Sequence, residues 1–371
     1  MSRTAGESWG KQLSRARCCR PMRLCDVEFL LTKLDPLSQG IADRLVLVRV
    51  QTDAAVDGWG EAPVPWRVGE LARRREQLLP TLAGRNILDL AELAELNVLS
   101  PPLRAAVEIA CWDAAGKALG QPVARFWGGF YRHQVPVGQF VGDMDEDEIL
   151  TQAQRMYDRG VTCWILGTSG QIAQDLEVLR AIRDQFGEAI QLRVDARRRF
   201  DFTAAVHLCL QMESLGIHCL IDPLATNYWQ TYRRLQQESP VPIAIRRGLK
   251  SLRDVWAVCQ CGAARHLILD MYELGGPLAI RNASAVAQAA QVEVSLGMPA
   301  SVGIGLAAAL HLGAALPPLV HAHNLWQYCE DSRIVHPFAV KNGMWTVPEE
   351  PGLGIPLQRD HWELLTLARD F

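Results

Sequence analysis

The chain has 371 residues, 49% of them apolar and 21% charged, with a net charge of −3. That is core enough for about two domains or one large barrel with an appendage, and it excludes a disordered or fibrous chain. The near-neutral balance gives no electrostatic footprint for nucleic acid or an anionic membrane, and no apolar run reaches the length of a bilayer span. The ten cysteines are scattered; Cys18-Cys19 and Cys259-x-Cys261 lack zinc-ligand spacing, so they read as reduced thiols of a cytoplasmic protein.

Residues 1–21 are basic and lack the apolar region of a secretory signal, so a disordered tail is expected there. Residues 22–130 read as a small α+β unit. Strands rich in Val and Leu are predicted over 24–31 and 45–51, and the turn residues Asp57-Gly58 lead into a further short strand. Helices are predicted over 71–82, 88–96 and 105–119, the last stopped by Gly120 and Pro122.

From residue 131 short apolar strands alternate with amphipathic helices. Strands are predicted over 135–140, 162–166, 190–194, 218–221, 243–245, 266–270, 293–296 and 319–322. Helices are predicted over 145–159, 172–186 and 203–215, with Asp145 as an N-cap. The strand ends fall near Gln139, Leu166, Asp195, Ile221, Arg247, Asp270, Leu296 and His323, spaced 23 to 29 residues apart. Eight strands on one βα period predict an α/β fold, a closed parallel barrel over 131–337. No glycine-rich phosphate fingerprint accompanies it, which disfavours a dinucleotide fold. Residues 338–371 return to strand and turn and are expected to pack on the N-terminal unit.

Several strings, in order along the chain, carry a resemblance: Asp57-Gly58-Trp59-Gly60-Glu61-Ala62, Glu108-Ile109-Ala110-Cys111-Trp112-Asp113, Arg193-Val194-Asp195-Ala196, Gly275-Gly276, Gly303-Ile304-Gly305-Leu306 and Pro351-Gly352-Leu353-Gly354. The chain resembles the enolase superfamily, in its mandelate racemase and muconate-lactonizing branch. The resemblance implies an enolase-like modified TIM barrel, an α+β capping domain completed by the C-terminal segment, and a homo-oligomer. It also implies a divalent metal held on three acids at consecutive strand ends, stabilising an enolate formed next to a carboxylate.

The first of those acids is present as Asp195. The second position reads Ile221-Asp222-Pro223, an aliphatic group in place of a ligand, and the third reads Ile245-Arg246-Arg247-Gly248, a cation in place of a ligand. The family's Lys-x-Lys base motif reads Ile165-Leu166-Gly167. Asp270 matches the aspartate of a racemase-type dyad, but no histidine occurs between Glu293 and Gly305; the family's last glutamate falls near His323. One carboxylate, one isoleucine and one arginine do not make an oxygen-ligand site, so no cofactor and no catalytic Mg²⁺ are expected there. Metal bound elsewhere, through Asp222, Asp270 or Glu330, is a further possibility.

Two readings of the barrel mouth stand side by side. In one, Arg247 takes the place of the metal beside Asp195, and His323, with Asp270, moves protons on an anionic small molecule. Arg197, Arg246, Tyr272 and the cap residue Trp66 then contact the substrate, and His321 is a spare acid–base candidate. The chemistry is metal-free isomerisation, elimination or cyclisation, placed in specialised metabolism. In the other, Asp195 and Arg247 form a structural salt bridge, Ile165 and Ile221 are core, Arg197 and Arg246 are rim charges, and His323 is a core histidine. The protein is then a catalytically inactive ligand-binding or scaffold protein. The first cap loop, over 34–44, is short for a lid.

Overall fold

The computed structural model describes residues 21–33, 44–89, 91–92, 99–141, 145–299, 301–324, 338–357 and 366–367. The expected tail, the first cap loop, most of the helix expected over 88–96, and Trp326, Tyr328, Cys329 and Glu330 lie outside the described residues.

The cap is an antiparallel meander of β1 (Leu24–Lys33), β2 (Arg44–Thr52) and β3 (Asp57–Ala62). Strand alternation sorts its residues onto two faces. Val27, Phe29, Val46, Val48 and Val50 pack with α1 (Val68–Leu82) and α2 (Pro101–Leu119), while Leu30, Leu45, Leu47 and Trp59 join the barrel core. Helix α2 is apolar nearly all round, from Ala105 through Cys111 to Ala115, because it is buried between cap and barrel. Pro101 opens it and Gly120, in the left-handed region, closes it. Gly60 lets β3 lie directly on α2, since a Cβ there would overlap the Ala106 carbonyl oxygen.

One carboxylate ties these pieces together. Asp113 accepts the Trp59 N–H at 2.9 Å and the Leu353 N–H at 2.8 Å, and pairs with Lys117 one turn along α2. The C-terminal segment thus meets the cap at Leu353, and β14 (Thr366–Leu367) adds antiparallel to β1.

The barrel strands are β4 (Gln134–Val141), β5 (Cys163–Gly167), β6 (Gln191–Asp195), β7 (Cys219–Ile221), β8 (Ile243–Ile245), β9 (His266–Leu269), β10 (Glu293–Leu296) and β11 (His323–Asn324). Neighbours from β4 to β10 pair in parallel, and β11 pairs with β4. After the short α3 (Ala124–Trp127), the helices α4 (Glu146–Asp158), α5 (Ile172–Phe186), α6 (Phe202–Met212), α7 (Trp229–Glu238), α8 (Leu252–Cys261), the paired α9 (Met271–Leu274) and α10 (Pro277–Ala289), and α11 (Ile304–Ala315) alternate with the strands. Asp145 caps α4 as expected, accepting the Glu148 N–H. Strands β12 (Val340–Lys341) and β13 (Met344–Thr346) form a hairpin whose second strand pairs with β4. Inside the barrel, Ile165, Cys219, Ile221, Ala244 and Ile268 make an apolar layer with Phe140.

The last barrel strand falls beyond the expected 319–322. Arg132 gives the reason: its guanidinium donates to the carbonyls of Leu316, Pro317 and Leu319 at 3.0–3.1 Å, and to that of Gly313. The Pro317-Pro318 stretch is gathered into a turn, and pairing begins only at His323. Among the described residues no helix is long and apolar enough to cross a membrane.

Replacing Asp113 with Ala strands two buried N–H groups. It is expected to cost about 3 kcal/mol, at roughly 1–3 kcal/mol per unsatisfied group. Urea unfolding checks this, and an unchanged midpoint would contradict the role given to Asp113.

Candidate functional site

The carboxyl ends of β6, β7 and β8 are adjacent and in register, with Asp195 opposite Ile221 and Ile221 opposite Ala244. Asp195 closes β6 with its side chain in the mouth, where Arg247 meets it. Nη1 and Nη2 of Arg247 donate to the two Asp195 oxygens at 2.9 and 3.1 Å, a two-pronged fork. The same Nη1 donates to Asp222 Oδ2 at 2.9 Å. Asp222 follows Ile221 with φ at 45°, in the left-handed region. Its carboxylate also accepts the N–H of Arg246 at 2.9 Å and that of Arg247 at 3.1 and 3.2 Å. Burial pulls the Arg247 guanidinium down, but the two carboxylates outweigh it and hold the group above its ordinary value. Burial likewise pushes Asp222 up, against its backbone bonds and the Arg247 charge.

The turn after β6 is strained. Arg197 and Arg198 both have positive φ, 53° and 61°. Such residues cost about 1–2 kcal/mol each and persist only when their surroundings over-determine them. Here the Arg197 N–H donates to Asp195 Oδ1 at 2.9 Å and the Arg198 N–H to the Asp222 carbonyl at 2.8 Å. The Arg198 side chain bonds Asn227 and the Arg247 carbonyl, bracing the fork from behind. Arg197 instead lies over the Phe140 ring, 5.1 Å from its centroid, at the mouth side of β5.

Across the mouth, Arg246 reaches over Gly297 and brings Nη2 to 4.0 Å from Asp270 Oδ2. Asp270 is the N-cap of α9 and accepts the Tyr272 N–H at 2.9 Å. Burial raises its pKa to about 6, against the pull of Arg246.

The mouth therefore brings together Asp195, Arg247, Arg197, Arg246 and Asp270. Tyr272 is elsewhere: because Asp270 starts a helix rather than continuing the strand, the buried Tyr272 hydroxyl ends beside the Glu61 carboxylate at the cap–barrel seam. Glu61 in turn accepts the Val302 N–H before α11, and burial raises its pKa to about 7. Trp66 packs edge-on against Phe29 in the cap core, under Arg74, and not over the mouth. His323 is also away from the cluster. Its Nδ1 accepts the Leu296 N–H at 2.9 Å, its Nε2 faces Gly313 of α11, and burial lowers its pKa to about 3. His321 sits at the opposite, amino-terminal end of the barrel. Asp222, expected only as an alternative metal ligand, joins the fork: strand alternation assigns it the face opposite Ile221, and the left-handed turn returns its carboxylate to Arg247.

A capped eight-stranded parallel barrel with its charges gathered at the carboxyl ends of the strands defines the enolase class of fold. Residues 37–128 match the mandelate racemase/muconate lactonizing enzyme N-terminal domain, and residues 148–361 match the enolase C-terminal domain-like family. The chain belongs to the mandelate racemase/muconate lactonizing enzyme family of the enolase superfamily. It is 28% identical over 347 residues to muconate cycloisomerase 1 of Pseudomonas putida, covering 88% of this chain and 90% of the relative. It is 24% identical over 341 residues to the N-succinyl-L-Arg/Lys racemase of Bacillus cereus, covering 88% and 91%. The solved muconate lactonizing enzyme from Pseudomonas putida superposes with a TM-score of 0.84 at 25% identity, covering 92% of this chain and 99% of that one. That of Pseudomonas fluorescens, complexed with muconolactone, superposes at 0.85 and 24%, covering 93% and 99%.

Truncating Arg247 to Ala leaves Asp195 and Asp222 facing each other without a counter-charge. Breaking a buried pair costs roughly 3–5 kcal/mol, and because the Arg247 side chain is 38% exposed we expect about 2 kcal/mol. Arg247→Lys, which keeps the charge but not the fork, should lose less. Thermal unfolding of the two variants checks the order; equal losses would deny the fork its role.

Proposed function

We propose that the chain is a metal-independent enzyme of this family, a cytoplasmic homo-oligomer that transfers a proton at the carbon next to the carboxylate of an anionic small molecule. The observation that carries the reading is the Arg247 guanidinium between Asp195 and Asp222, with Arg246 facing Asp270 across the mouth. A hard divalent cation needs several oxygen ligands. Two carboxylates here are engaged by Arg247, and Ile221 lies in the apolar layer. These residues do not fit the family's metal.

The groups at the mouth supply the parts of an enolisation. Arg246 and Arg197 present permanent positive charge to a substrate carboxylate and to the oxyanion that develops on it. Asp270, with a pKa near 6, takes the proton from the adjacent carbon, and the electron pair moves onto the carboxylate oxygens. The intermediate collapses by reprotonation, which isomerises, or by expulsion of a β-substituent, which eliminates. In the same frame, a carboxylate oxygen adding to a conjugated double bond forms the C–O bond and the enolate together, and Asp270, entering protonated, supplies the proton to carbon; that is the cyclisation. The relatives named as a muconate cycloisomerase and an N-succinyl-L-Arg/Lys racemase support this class of reaction.

One observation favours a second reading, a non-catalytic ligand-binding or scaffold protein. Ile165, Ile221 and Ile268, with Phe140, fill the barrel inside the mouth.

Proton NMR in D₂O, with EDTA present, separates the two. The enzyme reading expects deuterium to enter a member of a panel of N-succinylamino acids, muconates and muconolactones. Exchange should fall about 100-fold or more in Asp270→Asn and Arg246→Ala. Because the base must be ionised, kcat/KM should rise with pH through about 6. Binding without exchange supports the second reading, and exchange that requires added Mg²⁺ contradicts metal independence.

A further inference from the structure

The far end of the barrel carries a second constellation that the chemistry at the mouth does not use. Glu293 opens β10, His266 opens β9 directly opposite it, His218 precedes β7 and His321 precedes β11. Their side chains converge. Glu293 Oε2 lies 3.7 Å from His218 Nε2, 3.5 Å from His266 Nδ1 and 3.4 Å from His321 Nε2. The three imidazole rings are 5.3–5.8 Å apart, centroid to centroid. Four donors around one tetrahedral ion, at metal–ligand distances of about 2.0–2.1 Å, are separated by roughly 3.3–3.4 Å. Glu293 Oε2 sits at or just above that value from each imidazole, and the ligand atoms of His218, His321 and Glu293 all lie within 4.8 Å of one another, whereas His266 groups with His218 and Cys219 instead.

A second observation points the same way. The inward Nε2 of His218 is buried and has no hydrogen-bond partner. Buried polar nitrogens left unpaired are uncommon and call for an explanation. The outer nitrogen is held, His218 Nδ1 lying 3.2 Å from Gln191 Nε2. Such outer partners fix the orientation of metal-ligating imidazoles.

We propose that His218, His321 and Glu293 bind a divalent transition-metal ion, Zn²⁺ by ligand type, at the amino-terminal end of the barrel, with water completing its shell.

Imidazole and carboxylate donors suit zinc, whereas Mg²⁺ demands octahedral oxygen. The position gives the ion a structural task. Among the described residues β10 and β11 share no ladder pairs; instead His323 Nδ1 takes the Leu296 N–H across the seam. An ion shared by Glu293 on β10 and His321 ahead of β11 bolts that seam. Two neighbours set its cost. The Arg193 guanidinium faces the cluster from inside the barrel, bound to the Ala322 carbonyl, Gln191 Oε1 and Ser295 Oγ. Ligation through His218 Nε2 requires the Gln191 amide to turn its oxygen from Arg193 to His218 Nδ1. His266 and Cys219 form a neighbouring group with His218 and stay outside this ligand set.

The test uses the full chain, stripped of metal, titrated with Zn²⁺ by calorimetry and analysed for bound metal. The expected result is one Zn²⁺ per chain, a melting temperature raised by Zn²⁺ and not by Mg²⁺, and affinity weakened roughly tenfold or more in both Glu293→Gln and His321→Gln. These are exposed enough, at 48% and 22%, to be replaced without emptying the core. The Co²⁺ spectrum of the wild-type chain decides independently of any variant: tetrahedral d–d bands without a sulfur charge-transfer band are expected. Absence of saturable binding, unchanged affinity in both variants, or a sulfur-to-cobalt band overturns the proposal.

Discussion

Two carboxylates meet at the ends of neighbouring barrel strands because one guanidinium lies between them. Arg247 grips Asp195 with both prongs and Asp222 with one, at 2.9–3.1 Å. Carboxylates of low solvent exposure repel each other and lose hydration; a forked cation with fixed geometry offsets both effects. Everything else at the mouth is arranged around that fork. The left-handed turn at Arg197 and Arg198 delivers backbone N–H groups to Asp195 and to the Asp222 carbonyl. The left-handed Asp222 receives the N–H groups of Arg246 and Arg247. The strain of three such residues in one small region is tolerable only because each is tied to the same cluster.

The cap repeats the device with the opposite polarity. Buried carboxylates receive backbone N–H groups where separate parts of the chain converge. Asp113 joins β3 to the C-terminal segment, and Glu61 takes the N–H of Val302 just before α11. Glu108, midway along α2, takes the Leu278 N–H in the first turn of α10. A helix N-terminus exposes unpaired N–H groups and the positive end of its dipole, so an acid from a neighbouring layer is a natural plug. The Asp57-Gly58-Trp59-Gly60-Glu61 string is thus an architectural signature: glycine for close approach to α2, glutamate for the seam.

The regular part of this fold was legible in the sequence, and the exceptions are physical. A strand–helix period of 23–29 residues named the eight barrel strands, and seven of them, β4 to β10, fall within one residue of the expected bounds, β8 and β10 with no difference. The eighth slipped because Arg132, remote in sequence, gathers the carbonyls of a proline turn; no local pattern encodes that. The fork between Asp195 and Arg247 was legible through resemblance, as the substitution of a cation for an acid. Asp222 was read only as an alternative metal ligand and not as part of the fork, because alternation assigns it the wrong face and a positive φ reverses the assignment. Tyr272 was misplaced by treating Asp270 as mid-strand rather than as a helix cap, and His323 by reading a strand end without knowing which of its two faces the residue takes. Charge at a strand end can be read from sequence; the direction of a side chain at an irregular turn cannot.

The account rests on Arg247 occupying the space between Asp195, Asp222 and Ile221. A crystal structure of the protein grown in high Mg²⁺ examines that space directly. The account predicts the Arg247 guanidinium bonded to both aspartates, with no cation beside them. An octahedral Mg²⁺ on Asp195 and Asp222, with Arg247 swung out into solvent, would contradict it.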